Sequence, residues 1–94
     1  MKTISDFQNR MKLGVKVKAK LFRKVNNEHI LEKDYGEREI SIHQTNQFAL
    51  KTIIGDKITN SWCSWPTQKQ FHPISENEIE IHFESGKLVY TFLD

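Results

Sequence analysis

The sequence predicts a mainly β domain (α+β) with a short N-terminal helix, on the basis of three observations. Apolar and polar residues alternate with a period of two in several short segments, which is typical of half-buried strands. Turn-forming residues separate these segments at intervals of about eight to twelve residues, as in small barrels and sandwiches. Apolar residues follow a clear helical spacing only ahead of Gly14. A chain of 94 residues has room for one core, so we expect a single domain over residues 1–94.

We expect about six strands in a small antiparallel, SH3-like β-barrel or a strongly curved sheet. In so small a domain, closing the sheet removes edges that would otherwise pair with other chains. A flat antiparallel sheet packed on the helix is the second choice. An OB-type barrel is third, because it places a helix between its third and fourth strands, where this chain has only a hairpin.

The helix is predicted over about residues 4–12. Its apolar residues have the i, i+3, i+7 spacing of one helical face, at Ile4, Phe7 and Met11. Ser5 followed by Gln8 resembles a capping box, and Thr3 is an alternative N-cap. Gly14 is placed where a helix would end.

The first strand is predicted directly after Gly14. Its apolar residues alternate with lysines, as Val15, Val17, Ala19 and Leu21 against Lys16, Lys18 and Lys20. This pattern indicates one buried face and one all-lysine outer face. Residues 25–36 show no clear alternation, so we expect them to be mostly irregular, with a turn at Asn26 and Asn27.

The remaining strands are predicted over residues 38–44, 48–53, 58–65, 78–84 and 88–92. Turn residues connect them in hairpins, at Thr45 to Gln47, at Gly55 and Asp56, and at Ser85 and Gly86. Pro66 ends the 58–65 strand because proline has no N–H to donate. Residues 67–77 are expected to form a connection held to the body by Phe71 or Ile74.

Charge is distributed unevenly along the chain. Residues 1–24 carry eight basic side chains and one acidic one, whereas residues 25–94 carry six basic and eleven acidic. A basic strand of Lys16, Lys18 and Lys20, followed by Arg23, is one way to contact a nucleic-acid backbone. The alternative, which we favour, is cross-strand pairing of the lysines with Glu78, Glu80 and Glu84, if the first strand pairs with one of the last two. The net charge of only +2 supports this alternative, since nucleic-acid binders are usually basic throughout.

Composition predicts a cytoplasmic protein that does not associate with membranes. No apolar run approaches the roughly 20 residues of a membrane span. The N-terminus lacks the apolar stretch of a signal peptide. Cys63 is the single cysteine, so nothing indicates an oxidising compartment.

No motif predicts catalysis, a metal site or a cofactor. Four histidines and one cysteine could supply ligands or a nucleophile, at His29, His43, His72, His82 and Cys63. Their spacing matches no metal-binding motif and no nucleophile–base arrangement. The four glycines fall at element ends and turns, so no phosphate-binding loop is formed. We therefore expect a non-enzymatic protein.

The segment from Ser61 to Pro66 holds both tryptophans and is the most informative part of the chain for function. Trp62 is in phase with Ile58 and is assigned to the core, with Phe7, Phe48, Phe83 and Phe92. Trp65 is out of phase and is expected to be exposed. The predicted partner-binding surface consists of three central residues and a polar surround, namely Trp65, Phe71 and His72 with Arg38, His43, Gln44 and Asn46.

Three stretches resemble small uncharacterised proteins of phages and other mobile elements in bacteria. They are Leu13 to Val17 after the helix, Gly36 to Leu50, and Ser61 to Pro66 with its tryptophans. The resemblance implies a short accessory protein of the non-enzymatic, binding kind, a class that includes inhibitors of CRISPR and other host defences. The leading hypothesis is thus a β interaction module with a protein partner, present as a monomer or weak homodimer. For the leading hypothesis the expected mechanism is steric occlusion of the partner. The alternatives are a nucleic-acid binder using Lys16, Lys18, Lys20 and Arg23, and a self-associating component that buries Trp65 against its own copy.

Overall fold

A computed structural model describes residues 1–93 and confirms a mainly β fold with one short N-terminal helix. In chain order the elements are α1 (Ile4–Arg10), β1 (Lys16–Val25), β2 (Glu28–His43), β3 (Gln47–Ile54), β4 (Lys57–Ser64), β5 (Phe71–Pro73), β6 (Glu78–Phe83) and β7 (Gly86–Phe92). The strands pair antiparallel in one seven-stranded sheet with the order β4-β3-β2-β1-β7-β6-β5. No helix in this part of the chain is long and apolar enough to cross a membrane.

The sheet is strongly curved but not closed into a barrel, so of the two expected forms the strongly curved sheet is confirmed and the SH3-like barrel is wrong. The Tyr90 hydroxyl of β7 lies 3.8 Å from the Cys63 Sγ of β4, although three strands separate β7 from β4. In a flat sheet those strands would be about 19 Å apart. Within residues 1–93 no pairing joins the two edges, β4 and β5. β5 has only three residues and ends at Pro73, which leaves little backbone to complete a barrel.

The helix is confirmed, but of its two possible caps the structure uses Thr3. The Thr3 hydroxyl accepts from the Asp6 N–H at 3.1 Å, and the Asp6 carboxylate accepts from the backbone N–H groups of Lys2 and Thr3. These hydrogen bonds, led by that from Lys2, lower the pKa of Asp6. The expected Ser5 box is wrong because Ser5 already lies inside the helix. Phe7 and Met11 are fully buried, so the helix packs on the concave face of the sheet.

The expectation that residues 25–36 are irregular is wrong. Asn26 and Asn27 both have positive φ, at 52° and 66°, the pattern of a two-residue type I′ hairpin turn. β2 then runs for 16 residues. It pairs with β1 from Glu28 to Glu39 and with β3 from Ile40 to His43. Its first seven residues are all exposed, so they lack the alternation that reveals a strand with one buried face.

The other predicted strands occur within a few residues of their expected positions, with two differences. β5 forms inside the expected 67–77 connection, because its Phe71 to Pro73 pair with residues of β6. Gly86 belongs to β7 rather than to the turn. A side chain at Gly86 would collide with the backbone carbonyl of Phe22, which explains why glycine occupies this position.

The core is a cluster of buried side chains from the helix and the concave face of the sheet. It consists of Phe7, Met11, Val17, Ala19, Ile40, Phe48, Leu50, Phe71, Ile79, Ile81, Tyr90 and Phe92. Phe7 lies at its centre, with five aromatic rings within 6.2 Å of its own centroid to centroid. The core assignments of Phe7, Phe48 and Phe92 are thereby confirmed, and Phe83 is partly buried.

Candidate functional site

Trp65 packs against the core, contrary to the expectation that it is exposed. Its ring lies 4.6 Å from that of Phe48 and 5.8 Å from that of Phe7. Its Nε1 donates to the Gln44 carbonyl at 2.8 Å. The period-two argument fails here because β4 ends at Ser64, and beyond a strand the chain turns freely. Phe71, the second expected contact residue, is only 6% exposed.

The other residues of the predicted partner surface do not form one surface. His43 and Gln44 lie beside Trp65, and Asn46 is exposed in the turn that follows. His72 lies on the convex side, where its ring is 4.2 Å from that of His82. Arg38 lines a pocket on the concave side. The residues of the predicted partner-binding surface therefore lie on different sides of the sheet and do not form one contact surface.

Trp62 is half exposed at 50%, so its assignment to the core is wrong. It is in phase with Ile58, as predicted, and the register of β4 with β3 puts both residues on the convex face of the sheet, although part of Trp62 also lines the pocket on the concave side. Ile58 is the cross-strand partner of Ile53, and these two isoleucines are 65% and 66% exposed. Trp62 itself is paired with Ala49, which is fully buried. Trp62 and Ile58 of β4 and Ile53 of β3 together form an exposed apolar group.

The backbone of β4 is also open, because β4 is an edge strand with almost no feature that blocks pairing with another strand. It has eight residues in unshifted register with β3. Lys57 is its only charged residue, and it contains no proline. Natural edge strands are commonly protected by charges, proline, bulges or short length. β4 has almost none of these protections.

The other open backbone segments of the sheet are protected in these ways. β5 is three residues long and ends at Pro73. The side of β2 that faces away from β1 between Glu28 and Glu39 carries many charged side chains, and its pairing with β1 has two register shifts. The contrast makes β4 the exception among the edges described.

The residues of β4 that present free backbone groups follow from the ladder. The Ala49 carbonyl accepts from the Ser41 hydroxyl of β2 at 3.2 Å, so the backbone of Ala49 faces β2. Its partner Trp62 therefore points its own N–H and C=O away from β3. Because orientations alternate along a strand, Ile58, Asn60 and Trp62 all present both groups to the open edge.

A concave pocket of 290 Å³ lies next to β4, in the mouth of the curved sheet. Its lining includes apolar and aromatic side chains together with two basic ones, namely Tyr35, Leu50, Trp62, Cys63, Leu88 and Tyr90 with Lys33 and Arg38. Burial raises the pKa of the Cys63 thiol, although the hydrogen bond from Tyr90 acts in the opposite direction. A protonated thiol is a weak nucleophile.

Three of the four histidines meet on the convex face, which their spacing in the sequence did not indicate. The rings of His29 and His72 lie 5.8 and 4.2 Å from that of His82. The Glu80 carboxylate is 2.8 Å from His82 Nε2 and 3.0 Å from Lys87 Nζ. Burial acts to raise the pKa of Glu80, but these two partners outweigh it and lower the pKa. No three His, Cys, Asp or Glu side chains within residues 1–93 are placed to hold a metal ion.

The lysines of β1 lie in the same rows as acidic side chains of β6. β7 pairs with both β1 and β6, so Lys18, Thr91 and Glu78 form one row, and Lys20 and Glu80 belong to the next. Lys16 forms a 3.7 Å ion pair with Glu37 of β2, and Arg23 a 4.0 Å pair with Glu32 of β2. The pairing of the first strand with one of the last two is confirmed. This placement supports the structural explanation of the lysine stripe.

No family model, curated protein or solved structure matches this chain.

Proposed function

We propose that this protein is a small non-enzymatic interaction module that binds a protein partner through the β4 edge. The observation that carries the proposal is the contrast between β4 and the other edges. An eight-residue, nearly uncharged edge strand beside an exposed tryptophan is costly for a free protein, because it favours aggregation. A partner that pairs with this strand would remove that cost.

The mechanism is strand addition, in which an extended segment of the partner forms a new strand next to β4. The outward N–H and C=O groups of Ile58, Asn60 and Trp62 supply the hydrogen bonds. Trp62 and Ile58 supply apolar anchors on the convex face, and buried tryptophan is a frequent hot spot of binding energy. The fitting segment is extended and neutral, with apolar side chains on the face that meets Trp62.

The resemblance of the sequence to phage and mobile-element proteins supports a host-defence or accessory setting for this binding. In that setting the module acts by steric occlusion, since a strand added at β4 covers the corresponding edge of the partner. Nucleic-acid binding through Lys16, Lys18, Lys20 and Arg23 is the alternative. A gel-shift assay at low salt, where phosphate contacts are strongest, tests it directly.

The test replaces one outward backbone N–H of β4. In Asn60→Pro the proline ring occupies the open edge and leaves the hydrogen bonds to β3 in place, as is tolerated on edge strands. Asn60→Ala is the matched control, because it also loses the side-chain amide but keeps the N–H. All three proteins are used as baits in lysate of the native host, after circular dichroism has shown that each is folded.

We expect a protein captured by the wild type and by Asn60→Ala to be lost with Asn60→Pro. In the complex, amide hydrogen exchange at Ile58, Asn60 and Trp62 should slow relative to the free protein. Capture that is equal with all three baits, or protection confined to other strands, would refute the β4 edge as the binding site.

A further inference from the structure

We infer that the strand that pairs with β4 is β4 of a second copy of this chain, antiparallel and centred on Asn60. The inference rests on the proposed function, since it uses the same edge, and it names the partner. It joins two curved sheets into one continuous sheet across a two-fold axis. The argument uses the side-chain pattern, the backbone directions and the charges of β4.

The side-chain types of β4 are arranged symmetrically on the two sides of Asn60. The flanking residues are hydroxyl-bearing, Thr59 on one side and Ser61 on the other. The next residues are apolar, Ile58 on one side and Trp62 on the other. A two-fold axis at Asn60 therefore places Ile58 opposite Trp62 of the second copy. Aromatic and β-branched side chains directly opposite each other are among the favourable cross-strand pairs.

The backbone directions fit the same register. Ile58, Asn60 and Trp62 present their N–H and C=O groups to the open edge. With Asn60 opposite its own copy, each of these residues meets another that also points outward, so every such pair exchanges both hydrogen bonds. Thr59 and Ser61 then form the intervening, closely spaced pairs.

This register also covers the exposed apolar group. Ile53 and Ile58 are cross-strand partners, and the added strand extends their row with Trp62 of the second copy. The same contact occurs twice because the interface is symmetric. Moving the register by two residues in either direction would place Ile58 opposite Asn60 or Ser64 instead. Of these three neighbouring registers, only the one centred on Asn60 therefore pairs Ile58 with Trp62.

Charge does not oppose the pairing. Lys57 is the only charged residue in β4, and it lies opposite Cys63 of the second copy. Lys51, on the neighbouring strand, is already 2.7 Å from the Glu39 carboxylate. No like charges within β4 therefore face each other across the interface, which is the arrangement that would destabilise it.

The experiment measures association and register separately. Sedimentation equilibrium of the wild type should show a dimer that dissociates on dilution, and Asn60→Pro should sediment as a folded monomer. For register, Asn60→Cys and Thr59→Cys are each made in a Cys63→Ser background and oxidised. The Cα atoms of paired residues are about 5.5 Å apart, within reach of a disulfide. Thr59 and its own copy would be about 8 Å apart, beyond that reach.

We expect rapid disulfide-linked dimers with Asn60→Cys and little with Thr59→Cys. A wild type that remains monomeric at high concentration would overturn the inference, as would equal cross-linking at the two positions. If the wild type is monomeric but still captures a host protein that Asn60→Pro loses, the proposed function stands with a different partner. If Asn60→Pro remains dimeric and captures equally well, both are wrong.

Discussion

The opposite placement of the two tryptophans can be tested through folding stability. Trp65 is partly buried and packs against Phe7, Phe48 and His43, with its Nε1 bonded to the Gln44 carbonyl. Replacing a fully buried tryptophan by alanine costs about 3–5 kcal/mol. Because Trp65 is only partly buried, the packing loss should lie near the lower end. The lost hydrogen bond adds about 1 kcal/mol, so Trp65→Ala should lower the free energy of unfolding by about 3–4 kcal/mol.

Trp62→Ala should cost only about 1 kcal/mol, because half of the Trp62 side chain is exposed and surface changes are usually small. Trp65→Phe separates packing from hydrogen bonding. It keeps an aromatic ring beside Phe48 but loses the N–H donor, and should cost about 1–2 kcal/mol. The three variants therefore have a definite order of stability.

The assay is urea unfolding followed by far-ultraviolet circular dichroism, since the substitutions remove the fluorescent side chains. It is run at a protein concentration low enough to keep the chain monomeric, because β4 pairing would bury Trp62 and raise the cost of its loss. Midpoints are compared at constant m-value. The reasoning is refuted if Trp65→Ala costs less than about 1 kcal/mol, or if Trp62→Ala is the more destabilised of the two.

Three further predictions concern other parts of the fold. Gly86→Ala should lower the free energy of unfolding by about 1–3 kcal/mol through overpacking, because its Cβ would collide with the Phe22 carbonyl, and the melting temperature should fall with it. An unchanged melting temperature would contradict the close approach of β1 and β7. Thr3→Ala should cost about 1 kcal/mol in urea unfolding by removing the helix cap, whereas Thr3→Ser should restore most of it. The pKa of His29 is lowered by partial loss of hydration and by the positive charge of Lys87. The contribution of His29 to stability is therefore present above the pKa that it has in the unfolded chain, and it is lost as the pH falls through the lower pKa of the folded protein. The melting temperature should therefore fall on acidification from about pH 7 to 5, and His29→Gln should make that fall smaller; an equal fall in both proteins would show that His29 is not responsible.

The parts of the fold that the sequence revealed are those where burial imposes a pattern. Val17 and Ala19 alternate with lysines because one face of β1 is buried, and the helix appeared through Phe7 and Met11 for the same reason. The first half of β2 has no alternating pattern in the sequence, because neither of its faces is covered. β5 was not predicted because three residues are too few to show a period. Asn26 and Asn27 marked the hairpin turn, but the strand that follows them could not be read from its exposed residues.

The candidate site shows the same limit more sharply. Periodicity correctly placed Trp62 and Ile58 on one face of one strand, since that depends only on backbone geometry. It did not say which face is buried, because that depends on the direction in which the sheet curves. The exposed β4 edge likewise depends on strand order, which pairs β1 with β7 and leaves β4 paired on one side only, with β3.

The sequence by itself determined the class of this protein, its helix, most of its strands and the segment that draws attention, since local propensity and alternation act over a few residues. The tertiary structure decided the open edge, the histidine group and the exchange of roles between Trp62 and Trp65. Each of these depends on contacts between residues far apart in the chain. Curvature places the concave side around Phe7 and leaves Trp62 half exposed on the other face, while the end of β4 at Ser64 lets Trp65 pack against Phe7.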